Sequence, residues 1–120
     1  MERYIKFNCR CGCDIPPELE ENKNNYLDQL EIIEKELNQE LDISSGYRCK
    51  KHNSTIPNSA KNSYHTKCMA GDLKTKGLKP IDLYKVIDRL MNEGKILKGG
   101  IGVYNTFIHY DIRGTKIRFK

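Results

Sequence analysis

The chain has 120 residues, which suffice for one compact domain and are too few for two independent ones. Hydrophobic residues make up 38% of it, and no apolar run approaches the roughly 20 residues of a membrane span, which excludes an integral membrane protein. The net charge of +5 favours encounter with polyanions, but the basic residues are scattered and form no nucleic-acid-binding motif. We therefore expect a single domain over residues 1–120, monomeric, that neither inserts into membranes nor binds nucleic acid.

The amino-terminal segment carries an unusual cysteine pattern. The first seven residues lack the apolar core and cleavage site of a secretory signal, so synthesis in the cytoplasm without a signal peptide is expected. Residues 9–17 read Cys-Arg-Cys-Gly-Cys-Asp-Ile-Pro-Pro, which predicts a tight loop. We expect residues 1–16 to form a cysteine-rich loop packed on the domain. Five cysteines are an odd number, so at least one lies outside any intramolecular disulfide.

The first half of the chain predicts a helix, a strand and a long loop. Apolar residues recur at three- and four-residue steps between residues 18 and 39, which indicates one face of an amphipathic helix; they are Tyr26, Leu27, Leu30, Ile33, Leu37 and Leu41. Residues 41–45 form a short strand candidate. Residues 46–64 are rich in Ser, Asn, Gly, Pro and Lys and predict a long loop, and loops of this length tend to be functional.

The second half predicts a strand, a helix and a hairpin. Residues 69–73 read as a short buried strand, and Pro80 fits the first position of a helix that Gly94 ends. Its core face is expected to comprise Leu83, Val86, Ile87 and Leu90. Residues 101–112 predict two antiparallel strands around a turn at 105–106, and a last strand is expected at 115–119. The fold class is α+β, with helices packed on a small antiparallel sheet.

Two histidines and an aspartate stand out as a possible metal site. Strand alternation sends Phe107, His109 and Asp111 to one face and leaves the intervening apolar residues for the core. At the end of the long loop, His65 is followed seven residues later by Asp72 in a strand. Zinc accepts imidazole and carboxylate ligands, and catalytic sites keep a fourth position open for water. Taken alone, such residues are also common as surface or capping groups.

Longer motifs resemble the zinc D-Ala-D-Ala carboxypeptidases and related L-alanyl-D-glutamate peptidases of peptidoglycan, which share a hedgehog-like fold. The pattern Ser-x-His, six residues, then Asp is met at residues 63–72, and a His-x-Asp strand is met at 107–111. Residues 45–48, Ser-Gly-Tyr-Arg, resemble a substrate-binding segment of the family, and the glycine-rich residues 99–104 resemble its approach to the last ligand strand. The amino-terminal residues 7–13 are similar to small bacterial and prophage members.

The resemblance implies a function and a set of roles. One catalytic Zn²⁺ is expected at His65, Asp72 and His109, with Arg48 holding a substrate carboxylate or carbonyl oxygen as a substrate-binding and catalytic residue. Ser63 and Tyr104 are further candidates for substrate contact, although Ser63 could equally be a turn residue of the loop. The implied substrate is the stem peptide of peptidoglycan, cut by a D,D-carboxypeptidase or an endopeptidase such as a phage endolysin that reaches the wall after release. The alternative is a zinc-stabilised, non-catalytic cell-wall-binding domain.

The sequence also departs from the family pattern. The general base of the family often stands three residues before the last histidine, where this chain has Thr106. Asp111 is therefore the candidate catalytic base; the alternatives are that it orients His109 or is a surface residue. Cys68 stands where the family usually has glycine, and its thiolate could itself bind a soft metal, although Asp72 fits the pattern better.

The remaining cysteines leave three interpretations open. Cys9, Cys11, Cys13 and Cys49, with His52 nearby, supply enough ligands for a second, structural zinc. Zinc knuckles usually separate paired cysteines by two to four residues rather than one, which disfavours this interpretation. A disulfide tying Cys49 to the amino-terminal loop and free buried thiols are the alternatives.

Overall fold

Short strands and two longer helices make up most of the structure, a computed structural model that describes residues 7–9, 11–56 and 63–119, with Phe119 as backbone only. Within these ranges the chain forms three α-helices: α1 (Glu20–Leu37), α2 (Lys50–Asn53) and α3 (Pro80–Asn92). It also forms five strands: β1 (Asp42–Ser45), β2 (Ala70–Lys74), β3 (Gly100–Val103), β4 (Ile108–Asp111) and β5 (Ile117–Phe119). The α+β class expected from the sequence is confirmed.

Helix α1 follows the predicted periodicity. A 3-10 turn over Pro17–Leu19 precedes it, and Asn38 ends it in the left-handed conformation with φ of 56°. Its inward face buries Tyr26, Leu30 and Ile33, while Leu27 and Leu37 are partly buried against the same core. The three- and four-residue spacing thus places one face of α1 in the core.

The five strands form one sheet in the order β1-β2-β4-β3-β5. All neighbours are antiparallel except β3 and β5, which pair in parallel, so the sheet is mixed at one edge rather than wholly antiparallel as expected. One face of the sheet packs on α1 and α3, where the fully buried side chains lie; they include Leu73, Leu83, Ile87, Leu90, Ile101, Ile108 and Tyr110. The other face is left for polar groups.

Gly71 allows α1 to approach this core face closely. The Tyr26 hydroxyl donates a hydrogen bond of 2.8 Å to the carbonyl of Tyr110, which pairs with Gly71 across β2 and β4. A Cβ at Gly71 would lie 2.6 Å from that hydroxyl. The small residue between Ala70 and Asp72 therefore fixes the helix on the sheet, and with it the strand that carries Asp72.

The long loop predicted at residues 46–64 contains local structure that the sequence did not indicate. Residues Lys50–Asn53 form α2, because the Cys49 thiol accepts a hydrogen bond from the His52 amide and caps the helix. A 3-10 helix, Tyr64–Lys67, follows at the end of the loop. Residues 57–62 lie outside the described part of the chain.

The amino-terminal loop contacts α1 and the segment after β1. Phe7 is fully buried, with its ring centroid 5.6 Å from that of Tyr26. The Tyr47 amide donates a 2.6 Å hydrogen bond to the Phe7 carbonyl. None of the helices in the described ranges is long and apolar enough to cross a membrane.

Candidate metal centre

Three side chains meet on the polar face of the sheet. Asp72 on β2 and His109 on β4 are directly paired across the two strands, so they project side by side from the same face. His65 reaches them from the 3-10 helix that precedes β2. Its Nε2 lies 3.4 Å from Asp72 Oδ1, and His109 Nδ1 lies 3.5 Å from the same oxygen. The three ligand atoms all lie within 4.8 Å of one another.

These separations fit a zinc ion. Zinc binds nitrogen and carboxylate oxygen at roughly 2.0–2.2 Å in a tetrahedral arrangement, which puts neighbouring ligand atoms about 3.4 Å apart. The separations of 3.4 and 3.5 Å match this spacing and are longer than a strong hydrogen bond between charged groups. Two histidines and one carboxylate are also one of the donor sets of catalytic zinc sites, which leave one position open.

His65 is oriented by backbone and loop contacts. Its buried ring has Nδ1 2.7 Å from the Gly46 carbonyl oxygen, which can only accept, so Nδ1 carries the proton and Nε2 presents its lone pair to the centre. The Ser63 hydroxyl accepts a 3.2 Å hydrogen bond from the His65 amide and caps the 3-10 helix. Ser63 therefore stabilises the 3-10 helix that carries His65.

His109 is oriented by Asp111. His109 Nε2 donates to Asp111 Oδ2 over 2.7 Å, which leaves Nδ1 to face Asp72. Asp111 is fully buried and also accepts from the Gly100 amide (2.8 Å) and from the Arg113 amide, Nε and guanidinium nitrogen, at 3.2, 2.9 and 2.6 Å. Its oxygens are thus engaged by three residues. Its full burial excludes the alternative of a surface residue, and this geometry favours orientation of His109 over proton transfer.

Arg48 borders the centre on the side of β1. One guanidinium nitrogen lies 3.7 Å from Asp72 Oδ2, the carboxylate oxygen turned away from the histidines. Other guanidinium nitrogens donate to Asn53 Oδ1 (3.1 Å) and Ser45 Oγ (3.3 Å). Helix α2 thereby holds the guanidinium in place, with its charge directed at the rim of the metal centre.

The electrostatics keep both carboxyl groups ionised. Burial raises the pKa of Asp72, but the hydrogen bonds and charges of His109 and His65 outweigh it and hold that pKa well below its usual range. Burial likewise raises the pKa of Asp111, and hydrogen bonds from Arg113 and His109 more than reverse the effect. Burial lowers the pKa of His109, but the hydrogen bonds and charges of Asp111 and Asp72 outweigh this effect, so the pKa of His109 is raised overall. Anionic Asp72 is the form that binds a cation.

The remaining residues singled out in the sequence lie around the hairpin and the end of the loop. Tyr104 is exposed and stacks on Phe107 with ring centroids 4.8 Å apart. Thr106 is exposed in the turn between β3 and β4. Cys68 is fully buried and adopts the left-handed conformation, with φ of 58°. That conformation explains why glycine suits this position.

Two contributors to the centre were not anticipated from the sequence. Arg113 extends the alternation of His109 and Asp111 by one more step, and its guanidinium lies 4.4 Å from the centre of the Tyr64 ring while it binds Asp111. Continued period-two alternation was the signal that would have found it. The Gly46 carbonyl left no such signal, because a backbone acceptor can be assigned only once the chain is folded.

His65, Asp72 and His109 thus form a group that could hold one metal ion on the polar face of the sheet. The sequence matches the family described as Peptidase M15 over residues 4–111. The chain therefore belongs to the M15 peptidase family, which is the zinc peptidase family that its motifs resemble, and is a hydrolytic metallopeptidase. No curated protein and no solved structure matches it significantly.

Proposed function

We propose that the chain hydrolyses peptide bonds in the stem peptides of bacterial peptidoglycan, with one zinc ion held by His65, Asp72 and His109. The observation that carries the proposal is the orientation of the two imidazoles. Each has its outer nitrogen engaged by a protein oxygen, Gly46 O or Asp111 Oδ2, and its inner nitrogen directed at Asp72 Oδ1. Such partners fix the tautomer of metal-ligating histidines.

A zinc ion bound there would supply Lewis-acid activation of a water molecule and of the scissile carbonyl group. The chain's own residues supply orientation. Asp111 holds the proton on His109 Nε2, and Gly46 holds the proton on His65 Nδ1, so both inner nitrogens stay free for the metal. Ser63 supports this arrangement by capping the turn that presents His65.

Arg48 is proposed to bind the substrate. Its guanidinium is mostly buried yet lies at the rim of the centre, where its N–H groups can donate to a carboxylate or carbonyl oxygen of the peptide. The stacked Tyr104 and Phe107 offer an exposed aromatic surface for the remainder of the stem peptide. The net charge of +5 supports approach to an anionic wall.

Digestion of purified cell walls tests this proposal and identifies the bond. Mass spectrometry of soluble fragments, with labelling of new amino termini, would show stem or cross-link cleavage for an endopeptidase such as a phage endolysin. Release of D-alanine alone would show a D,D-carboxypeptidase. Either activity should disappear with a chelator and return with zinc. Walls that remain uncut under all these conditions would contradict the proposed peptidoglycan substrate.

One observation favours a second candidate, a non-catalytic wall-binding module that keeps zinc for stability. The position three before His109 carries the hydroxyl of Thr106, and the carboxylate of Asp111 is buried and fully engaged. Sedimentation with walls separates the two candidates. A module binds walls with zinc present and produces no new amino termini, whereas a peptidase produces them.

A further inference from the structure

Four cysteines lie close together beside Arg48, outside the candidate metal centre. Their sulfur atoms all lie within 4.8 Å of one another, although three come from the amino-terminal loop and one from the residue after Arg48. These are Cys9, Cys11, Cys13 and Cys49. We name them the thiol cluster. The centre that holds His65, Asp72 and His109 does not include them.

The sulfur–sulfur distances within the thiol cluster equal or fall somewhat below those around a tetrahedral zinc ion. The Sγ separations are 3.2 Å for Cys9–Cys11, 3.5 Å for Cys11–Cys49 and 3.8 Å for Cys9–Cys49. A zinc ion with four sulfur ligands at about 2.3 Å requires about 3.8 Å between them. A disulfide would require about 2.0 Å, so the thiols are spaced as co-ligands rather than as a bonded pair.

The backbone explains how a one-residue spacing can provide three ligands. The Gly12 amide donates to the Cys9 carbonyl over 3.0 Å, which closes a turn, and Gly12 has φ of +88°, a conformation that side-chain-bearing residues rarely adopt. This turn brings Cys11 and Cys13 back beside Cys9. Cysteines separated by one residue can therefore lie close enough to bind the same ion in this loop.

Backbone amides also point at the sulfur atoms. The Cys49 amide donates to Cys9 Sγ over 3.4 Å, and the His52 amide donates to Cys49 Sγ over 3.3 Å. Such hydrogen bonds fix the direction in which the two sulfur atoms face. The His52 imidazole is not a member of the group.

The geometry points to a second, structural zinc site formed by Cys9, Cys11, Cys13 and Cys49. Binding releases the thiol protons to solvent and leaves four thiolates on the ion. The ion ties the amino-terminal loop to Cys49, which caps α2 and directly follows Arg48. The second metal thus anchors the segment that positions the substrate-binding arginine and takes no part in the reaction.

Metal counting on the full chain, purified under reducing conditions, tests this inference. Wild type should contain two zinc ions per chain, and His65→Ala should retain one. The double variant Cys11→Ser/Cys13→Ser should also retain one, while Cys68→Ser, which removes a thiol outside the cluster, should retain two. One zinc in wild type and none in His65→Ala would overturn the second site and leave the peptidase centre intact.

Two further measurements keep the inference testable if the cysteine variants do not fold. Cobalt added to metal-free His65→Ala should give intense thiolate-to-cobalt charge-transfer absorption, and its absence would refute a four-sulfur site. Chelation of zinc from His65→Ala should lower the Tm by at least about 5 °C, because an anchor of the loop is lost. A non-reduced mass two hydrogens below the reduced mass, with no such zinc, would show a disulfide instead and refute the site.

Discussion

Replacement of Asp111 by asparagine separates the two roles of this carboxylate. Asparagine keeps one oxygen, which can still accept from the Gly100 amide, but its amide nitrogen cannot accept the proton of His109 Nε2. The variant also removes the negative charge that the Arg113 guanidinium contacts through two nitrogens. The substitution therefore affects the orientation of a metal ligand and the neutralisation of a cation.

The structure sets the expected size of each effect. Loss of a carboxylate partner of a metal-ligating histidine lowers metal affinity by about 10- to 100-fold. Breaking a fully buried ion pair costs about 3–5 kcal/mol, and the Arg113 side chain is 17% exposed, so we expect a loss of about 2–3 kcal/mol in the free energy of unfolding. At saturating zinc, kcat should fall by less than about tenfold, because excess zinc fills the site in spite of its lower affinity.

Three assays on one variant decide the outcome. Zinc affinity is measured by competition with a chromophoric chelator, stability by urea unfolding, and kcat by release of amino termini from walls at saturating zinc. Asp28→Asn is the matched control, because Asp28 is exposed on α1 and undergoes the same change from carboxylate to amide. The control should change none of the three values.

A general base behaves differently. Its removal lowers kcat by about 10²- to 10⁴-fold while zinc stays bound. If Asp111→Asn keeps wild-type zinc affinity and loses turnover to this extent, the orientation role is refuted and Asp111 is the base. Normal affinity, stability and turnover together would refute both roles.

Three other predictions concern neighbouring residues. Gly46→Ala should lower zinc affinity and stability, because a Cβ there would lie 2.5 Å from the Phe7 carbonyl and displace the oxygen that orients the first histidine; unchanged zinc titration would contradict this. Arg48→Lys should raise KM by about tenfold or more with a smaller change in kcat, since a lysine cannot reproduce the planar fork, and steady-state kinetics on a soluble stem peptide would measure it. Burial raises the pKa of Tyr47 to about 12, so its contribution to stability is complete below pH 10 and is lost as the pH rises from 10 to 12. Urea unfolding across this range should show the decline and a smaller one in Tyr47→Phe; equal declines would contradict the role of Tyr47.

The periodicity of apolar residues predicted which faces of α1 and β4 are buried. The three- and four-residue spacing in α1 identified the buried face, and the alternation in β4 separated Ile108 and Tyr110, which are fully buried in the core, from His109. Both patterns follow from the backbone geometry of a single helix or strand, whatever packs against it. They are therefore readable without knowledge of the fold.

Contacts between distant segments were not readable in this way. The parallel pairing of β5 with β3, the carbonyl of Gly46 beside His65, and the approach of Cys49 to Cys9 all depend on how loops fold over the sheet. The amino-acid types at these positions carry no periodic signal. A Cβ at Gly46 would lie 2.5 Å from the Phe7 carbonyl oxygen, but this close approach of the two segments is evident only in the folded structure.

The central claim is that zinc held by His65, Asp72 and His109 makes this chain a wall peptidase. The most direct measurement compares zinc-dependent release of amino termini from purified walls by wild type, His65→Ala and His52→Ala. His52 is the matched control, because it is the one histidine of the three in the chain that lies outside the centre. We predict activity in wild type and His52→Ala and none in His65→Ala. Equal release by all three proteins would contradict the claim.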